Sequence, residues 1–137
     1  MKREILFRGK RLDSGEWVEG YLRLQLVDGD LTQAKQSANI FHSWMDEIGK
    51  VFSETDSVDP DTVGQFTGLT DSHDVKIFEG DIVVDADAPN IILTIVWNKG
   101  SYRLIRADNT GYPISWGDDL MVIGNVNNNP ELIGGAS

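Results

Sequence analysis

The chain has 137 residues and no cysteine, so disulfides, thiolate metal sites and cysteine catalysis are excluded and the fold must hold without covalent staples. Hydrophobic residues make up 40% of it, enough for one ordinary domain or for a compact core with a small subdomain, and too many for wholesale disorder. A net charge of −10 disfavours polyanions as partners, because phosphate binding depends on Lys and Arg displacing counterions.

The N-terminus, Met1 to Arg8, has basic residues but only Ile5-Leu6-Phe7 as an apolar run, far short of a secretory h-region. Arg3, Ile5 and Phe7 alternate with Glu4, Leu6 and Arg8, which predicts a strand. Asp13-Ser14-Gly15 is a turn. Val18, Leu22, Leu24 and Leu26 then share one face, with Glu19, Tyr21, Arg23 and Gln25 on the other, the period of a half-buried strand. Asp28-Gly29-Asp30 closes it as a second turn.

Over residues 33–50, Ile40, Phe41, Trp44, Met45 and Ile48 recur at helical spacing, which favours a short amphipathic helix; a strand over Ala38–His42 is the alternative. Residues 53–62 are polar, acidic and carry Pro60, so a loop is expected there, dividing an N-terminal β-rich subdomain (1–57) from a C-terminal part (58–137). Beyond it, Glu79-Gly80-Asp81 turns into Ile82-Val83-Val84, and Ala86–Asn90, with Pro89, reads as a loop. Ile91, Leu93, Ile95 and Trp97 alternate with Ile92, Thr94 and Val96, so both faces are apolar and the strand is central or wrapped in a barrel. Even this run is much too short to span a membrane as a helix, and the cytoplasm is the expected location. Asn98-Lys99-Gly100 and Asp108-Asn109-Thr110-Gly111 are turns flanking a strand with Tyr102, Leu104 and Ile105. Leu120–Val126 is a last strand, ended by Asn127-Asn128-Asn129-Pro130. Short strands with frequent turns point to a small barrel or sandwich.

Three blocks carry a resemblance. The first runs Val58-Asp59-Pro60-Asp61-Thr62-Val63-Gly64-Gln65-Phe66-Thr67-Gly68-Leu69-Thr70-Asp71, then Ile77-Phe78-Glu79-Gly80-Asp81-Ile82-Val83. The second is Val122-Ile123-Gly124-Asn125-Val126 with Asn129-Pro130-Glu131-Leu132; the third is Arg8-Gly9-Lys10 with Glu16-Trp17-Val18-Glu19-Gly20-Tyr21-Leu22. In order and content these resemble the YopX family of bacteriophage and prophage proteins, over about half the chain. The resemblance implies a mostly β protein with a small SH3-like β-barrel C-terminal part, self-association into a homo-oligomer, and a phage or prophage origin. It implies no activity and supplies no catalytic residues. This chain departs from the family in one turn, where Asp71-Ser72-His73-Asp74 replaces a usual Asp-Lys-Asn-Gly, so that Asp74 takes the Gly position and its left-handed backbone. Read by itself, the first block is a folding signature. Gly64, Gly68 and Gly80 serve turns or close approach, and Phe66, Leu69, Ile77 and Phe78 are core.

Each candidate for chemistry has a plainer explanation. Glu79 and Asp81 lie on one face of an extended chain at the separation of an inverting glycosidase pair, yet turn formation accounts for both. Ser72-His73-Asp74 has the residue types of a triad, but adjacent residues do not form the relay. His42 and His73 are the only histidines and lack metal-ligand spacing; no EF-hand, Walker or dinucleotide loop occurs. No catalytic residue, metal or cofactor is therefore expected. From Asp46 to Asp87 twelve acids stand against Lys50 and Lys76, a solvated acidic face first and a docking surface for a basic partner second. Trp17, Trp44, Trp97 and Trp116 read as core or interface residues rather than base-stacking platforms. The leading expectation is a non-enzymatic accessory protein that self-associates and binds a host or phage protein. Four Trp, three Tyr and five Phe exceed what one small core holds, and self-association would cover the surplus. The alternative is a nucleic-acid-associated module using Lys2, Arg3, Arg8, Lys10, Arg11, Arg103 and Arg106.

Overall fold

The computed structural model describes residues 4–27, 35–114 and 119–133; the turn expected at Asp28–Asp30 lies outside them, as do Lys2, Arg3 and Trp116. Among the described residues the strands are β1 (Phe7–Lys10), β2 (Trp17–Val27), β3 (Lys35–Met45), β4 (Val51–Val58), β5 (Gly64–Thr70), β6 (Lys76–Phe78), β7 (Asp81–Asp85), β8 (Ala88–Asn98), β9 (Ser101–Ile105), β10 (Gly111–Pro113) and β11 (Leu120–Asn125). Short 3-10 turns occupy Pro60–Thr62 and Pro130–Ile133. The fold is mostly β, built on two antiparallel sheets, and the chain divides into two units, Met1–Gln65 and Phe66–Ser137.

In the first unit the strands follow the order β4-β3-β2-β1, and Phe7 and Arg8 of β1 also pair with Gln65 and Gly64 at the start of β5. Just past β1, Arg11 bridges Val58, the Leu12 N–H donates to the Ser57 carbonyl (3.0 Å) and the Asp59 N–H to the Lys10 carbonyl (2.8 Å). These contacts curl the sheet so that β4 meets the chain leaving β1 at one end. The curl encloses Ala38, Ile40 and Val58, packed by Val18, Leu22 and Val63. It also explains Gly20, where a Cβ would overlap the Phe41 carbonyl oxygen on β3.

This arrangement corrects two expectations. Residues 35–45 are strand, not helix: β3 pairs with β2 on one side and β4 on the other. The helical stripe was an accident of exposed apolar residues, because Ile40 is buried while Phe41, Trp44, Met45 and Ile48 are exposed. Residues 53–58 likewise belong to β4, not to a loop. The acids that argued against a strand there include Asp56, which is buried against Arg11. Because Val58 and Val63 fill the first unit's core, the division falls after Gln65, eight residues beyond the boundary read from sequence at 57.

In the second unit, Phe66 and Thr70 of β5 pair with Phe78 and Lys76 of β6, and the Phe66 and Phe78 rings lie 5.5 Å apart. Five further strands run β10-β9-β8-β7-β11, with β8 in the centre as its two apolar faces require. The core gathers Ile77, Val83, Leu93, Ile95, Tyr102, Leu104 and Leu120. Lys99 (φ 52) and Gly100 (φ 85) form the two-residue turn between β8 and β9, matching the right-handed strand twist. The sheet is open rather than a closed barrel: among the described residues β10 and β11 remain its edges. Pro89 lies within β8, not in a loop; β8 pairs with β7 there only through Ala88 and meets β9 from Thr94 onward, so no ladder bond is lost. Leu69, expected in the core, is exposed because the β5–β6 register shifts between Phe66 and Thr70.

Candidate binding surfaces

Alternation along the β3–β4 hairpin decides what meets on each of its faces. The cross-strand pairs Ala38–Val58, Ile40–Asp56, His42–Glu54 and Trp44–Phe52 share one face. At the closed end this face is core; toward the hairpin tip it becomes polar and then aromatic. Arg11, carried in by the chain after β1, places Nη2 3.0 Å from Asp56 Oδ1 and 3.5 Å from Glu54 Oε1. The same guanidinium has Nε 3.6 Å from Asp13. His42 Nε2 is 3.1 Å from Asp56 Oδ2 and 3.9 Å from Glu54 Oε2. Asp56 is 7% exposed, so its charge needs these partners. His42 stacks on Trp44 with centroids 5.4 Å apart, and Trp44 on Phe52 at 5.7 Å.

Ligand atoms of His42, Glu54 and Asp56 lie within 4.8 Å of one another, a donor set that the sequence reading did not find. Its only signal was the hairpin register, which the helix reading hid. Arg11 already holds both carboxylates, so a divalent ion would have to displace a resident cation from a buried carboxylate. The geometry is that of a buried ion-pair network.

The other sequence candidates fall in turns. Asp71 is buried and accepts the N–H groups of His73 (2.7 Å) and Val75 (2.9 Å) on Oδ1 and that of Val122 (3.0 Å) on Oδ2. Asp74 has φ 61, the left-handed position anticipated for it. Ser72 Oγ lies 3.4 Å from His73 Nδ1 in an exposed contact, inside the turn that Asp71 organises. Asp81 is 1% exposed and accepts the Phe78 N–H (2.8 Å), while Gly80 between it and Glu79 has φ 90. This pair is turn chemistry. Asp56, Asp71 and Asp81 are thus buried, so these three acids of the stretch do not belong to a solvated face.

Of the basic residues, Arg8 and Lys10 sit over the Trp17 ring, 4.7 and 5.5 Å from its centroid, and Arg11 is in the ion-pair network. Arg103 lies beside Gly111, and Arg106 borders a groove. Tyr102 is buried, with Trp97 packed edge-on at 4.8 Å. Among the described tryptophans none is buried: Trp17 is half-buried, and Trp44 and Trp97 are exposed.

The groove at Arg106 measures about 550 Å³ and belongs to the second unit. Ile92, Thr94 and Val96 form its floor, on the face of β8 opposite the core residues Leu93 and Ile95, and Ile105, Leu132 and Ile133 add apolar walls. The second apolar face of this strand therefore lines an open groove instead of the interior of a barrel.

The chain is similar to protein EF1440 from Enterococcus faecalis, known from a crystal structure, with 26% sequence identity over 96% of this chain and 99% of that one and a TM-score of 0.54. No curated protein matches it. The family model described as "YopX protein" matches residues 6–134, nearly the whole chain, so the chain belongs to the YopX family.

Proposed function

We propose that the chain is a non-enzymatic phage or prophage accessory protein, working in the host cytoplasm, that self-associates and binds another protein. The observation carrying this reading is the apolar surface left outside both cores. Trp44, Met45, Ile48 and Val51 cluster in sequence around the β3–β4 tip, with Ile48 88% exposed, and Trp97 is exposed at the end of β8. Exposed apolar clusters of this kind mark interaction surfaces. Among the described residues the buried polar groups, by contrast, are engaged in ion pairs and turns. The meander order β11-β7-β8-β9-β10 supports an SH3-like reading of the second unit as an open variant, whose groove over Ile92, Thr94 and Val96 suits an apolar peptide segment.

Light scattering across micromolar dilutions tests the self-association. The expected result is a mass that is a multiple of 15.2 kDa; a single 15.2 kDa species at every concentration sinks it.

A further inference from the structure

We infer that the free edge of β4 is the surface through which two copies associate, pairing antiparallel about Phe52; this rests on the self-association proposed above. Antiparallel ladders alternate between residues that bond inward to their partner strand and residues that bond outward. Two bonds set the phase for β4. The Asp46 N–H donates to the Lys50 carbonyl (2.9 Å), which makes 46–50, and hence 44–52 and 42–54, the hydrogen-bonded pairs with β3. The Ser57 carbonyl points the other way, accepting the Leu12 N–H (3.0 Å). Val51, Ser53 and Thr55 therefore direct their N–H and C=O groups away from β3, and among the described residues no strand pairs with them there. All three are exposed. Such an edge is a template for another strand.

The side chains select a second copy as that strand. Pairing about Phe52 lets Val51 and Ser53 exchange N–H···O bonds with Ser53 and Val51 of the other copy. It sets Phe52 against itself in the closer, non-hydrogen-bonded spacing, which extends the His42–Trp44–Phe52 stack across the dyad. Lys50 then faces Glu54 of the second copy at both ends of the contact. Sliding the strands by two residues puts Phe52 against Glu54, and by four puts Glu54 against itself. The register about Phe52 is the one that matches opposite charges and like rings.

Three variants test it, each read by light scattering with circular dichroism as the control for folding. Ser53→Pro removes an outward N–H that no bond among the described residues uses, and should weaken association about tenfold or more, because one bond is lost on each side of the dyad. Lys50→Glu should weaken association about tenfold by opposing Glu54 at both ends of the contact, and adding Glu54→Gln, which removes that repulsion without setting a cation beside Arg11, should recover part of the loss. Retained assembly in a folded Ser53→Pro protein overturns the β4 interface while leaving self-association standing. If Ser53→Pro does not fold, Lys50→Glu decides in the same way. A monomeric parent overturns both readings, and a Glu54→Gln change that recovers nothing in the Lys50→Glu background overturns the register.

Discussion

Asp71 sits in a turn whose N–H groups converge on one carboxylate from two directions: His73 and Val75 from within the turn, Val122 from β11. Burial pushes its pKa up, but those three donors, with His73 adding a favourable charge, outweigh burial and hold it below the ordinary 3.8. A carboxyl with a lowered folded-state pKa contributes stability that is fully present above its unfolded value and lost as pH falls through the folded one. The parent should therefore lose this part of its stability as pH falls below about 4. Asp71→Asn should cost about 1–3 kcal/mol at pH 7, because the amide cannot accept all three N–H groups, and should show a shallower fall as pH drops below about 4. Urea melts at a series of pH values check both points, and parallel pH profiles for the two proteins would remove Asp71 from the account. The sequence placed this residue in a turn. Its tie to β11 spans 51 positions and has no local signature.

At the scale of elements, the same hairpin that hid the polar network offers the sharpest energetic test. A helix over 33–50 would bury Ile40, Phe41, Trp44, Met45 and Ile48 on one face; a strand buries Ile40 and leaves Ile48 in solvent. Ile40→Ala should then cost about 2–5 kcal/mol, and Ile48→Ala should stay within about 0.5 kcal/mol. In the second unit Phe78→Ala, which removes a buried ring packed on Phe66, should cost about 3–5 kcal/mol. Equal losses at Ile40 and Ile48 in denaturant melts would contradict the strand, and a Phe78→Ala protein that melts like the parent would contradict the buried ring. Strands with strict alternation and explicit turns were legible from sequence: β2, the β8–β9 hairpin with Lys99-Gly100, and β11. Elements that depend on a distant partner were not. Asp56 reads as a loop residue until Arg11, 45 positions away, is placed beside it. Leu69 reads as core until the register of β5 against β6 shifts. The His42, Glu54 and Asp56 constellation was out of reach for the same reason, since cross-strand registers belong to the fold and not to any local window.

For the molecule as a whole, a charge of −10 sets how assembly must respond to salt. Two copies approaching each other carry like net charge, and that repulsion is screened over about 10 Å at 0.1 M salt. The proposed contact is held chiefly by backbone bonds and apolar area, terms that added salt leaves nearly untouched, with only the exposed Lys50–Glu54 pairs working in the opposite sense. Association should therefore strengthen as sodium chloride rises from about 0.02 to 0.3 M, within the range over which the Debye length contracts most usefully. A nucleic-acid contact through Arg8, Lys10, Arg103 and Arg106 would behave in the reverse manner, because every neutralised phosphate releases counterions and binding falls steeply with added salt. Arg8 and Lys10 lie over Trp17, so recruiting them to phosphate would also mean giving up those contacts. Two titrations on one sample separate the readings: scattering mass against salt, and fluorescence anisotropy of a labelled duplex against salt. The self-associating module predicts a rising mass and no binding to the duplex at about 0.15 M salt. A mass that falls with salt while the duplex binds with sub-micromolar affinity at that ionic strength would transfer the argument to the nucleic-acid reading.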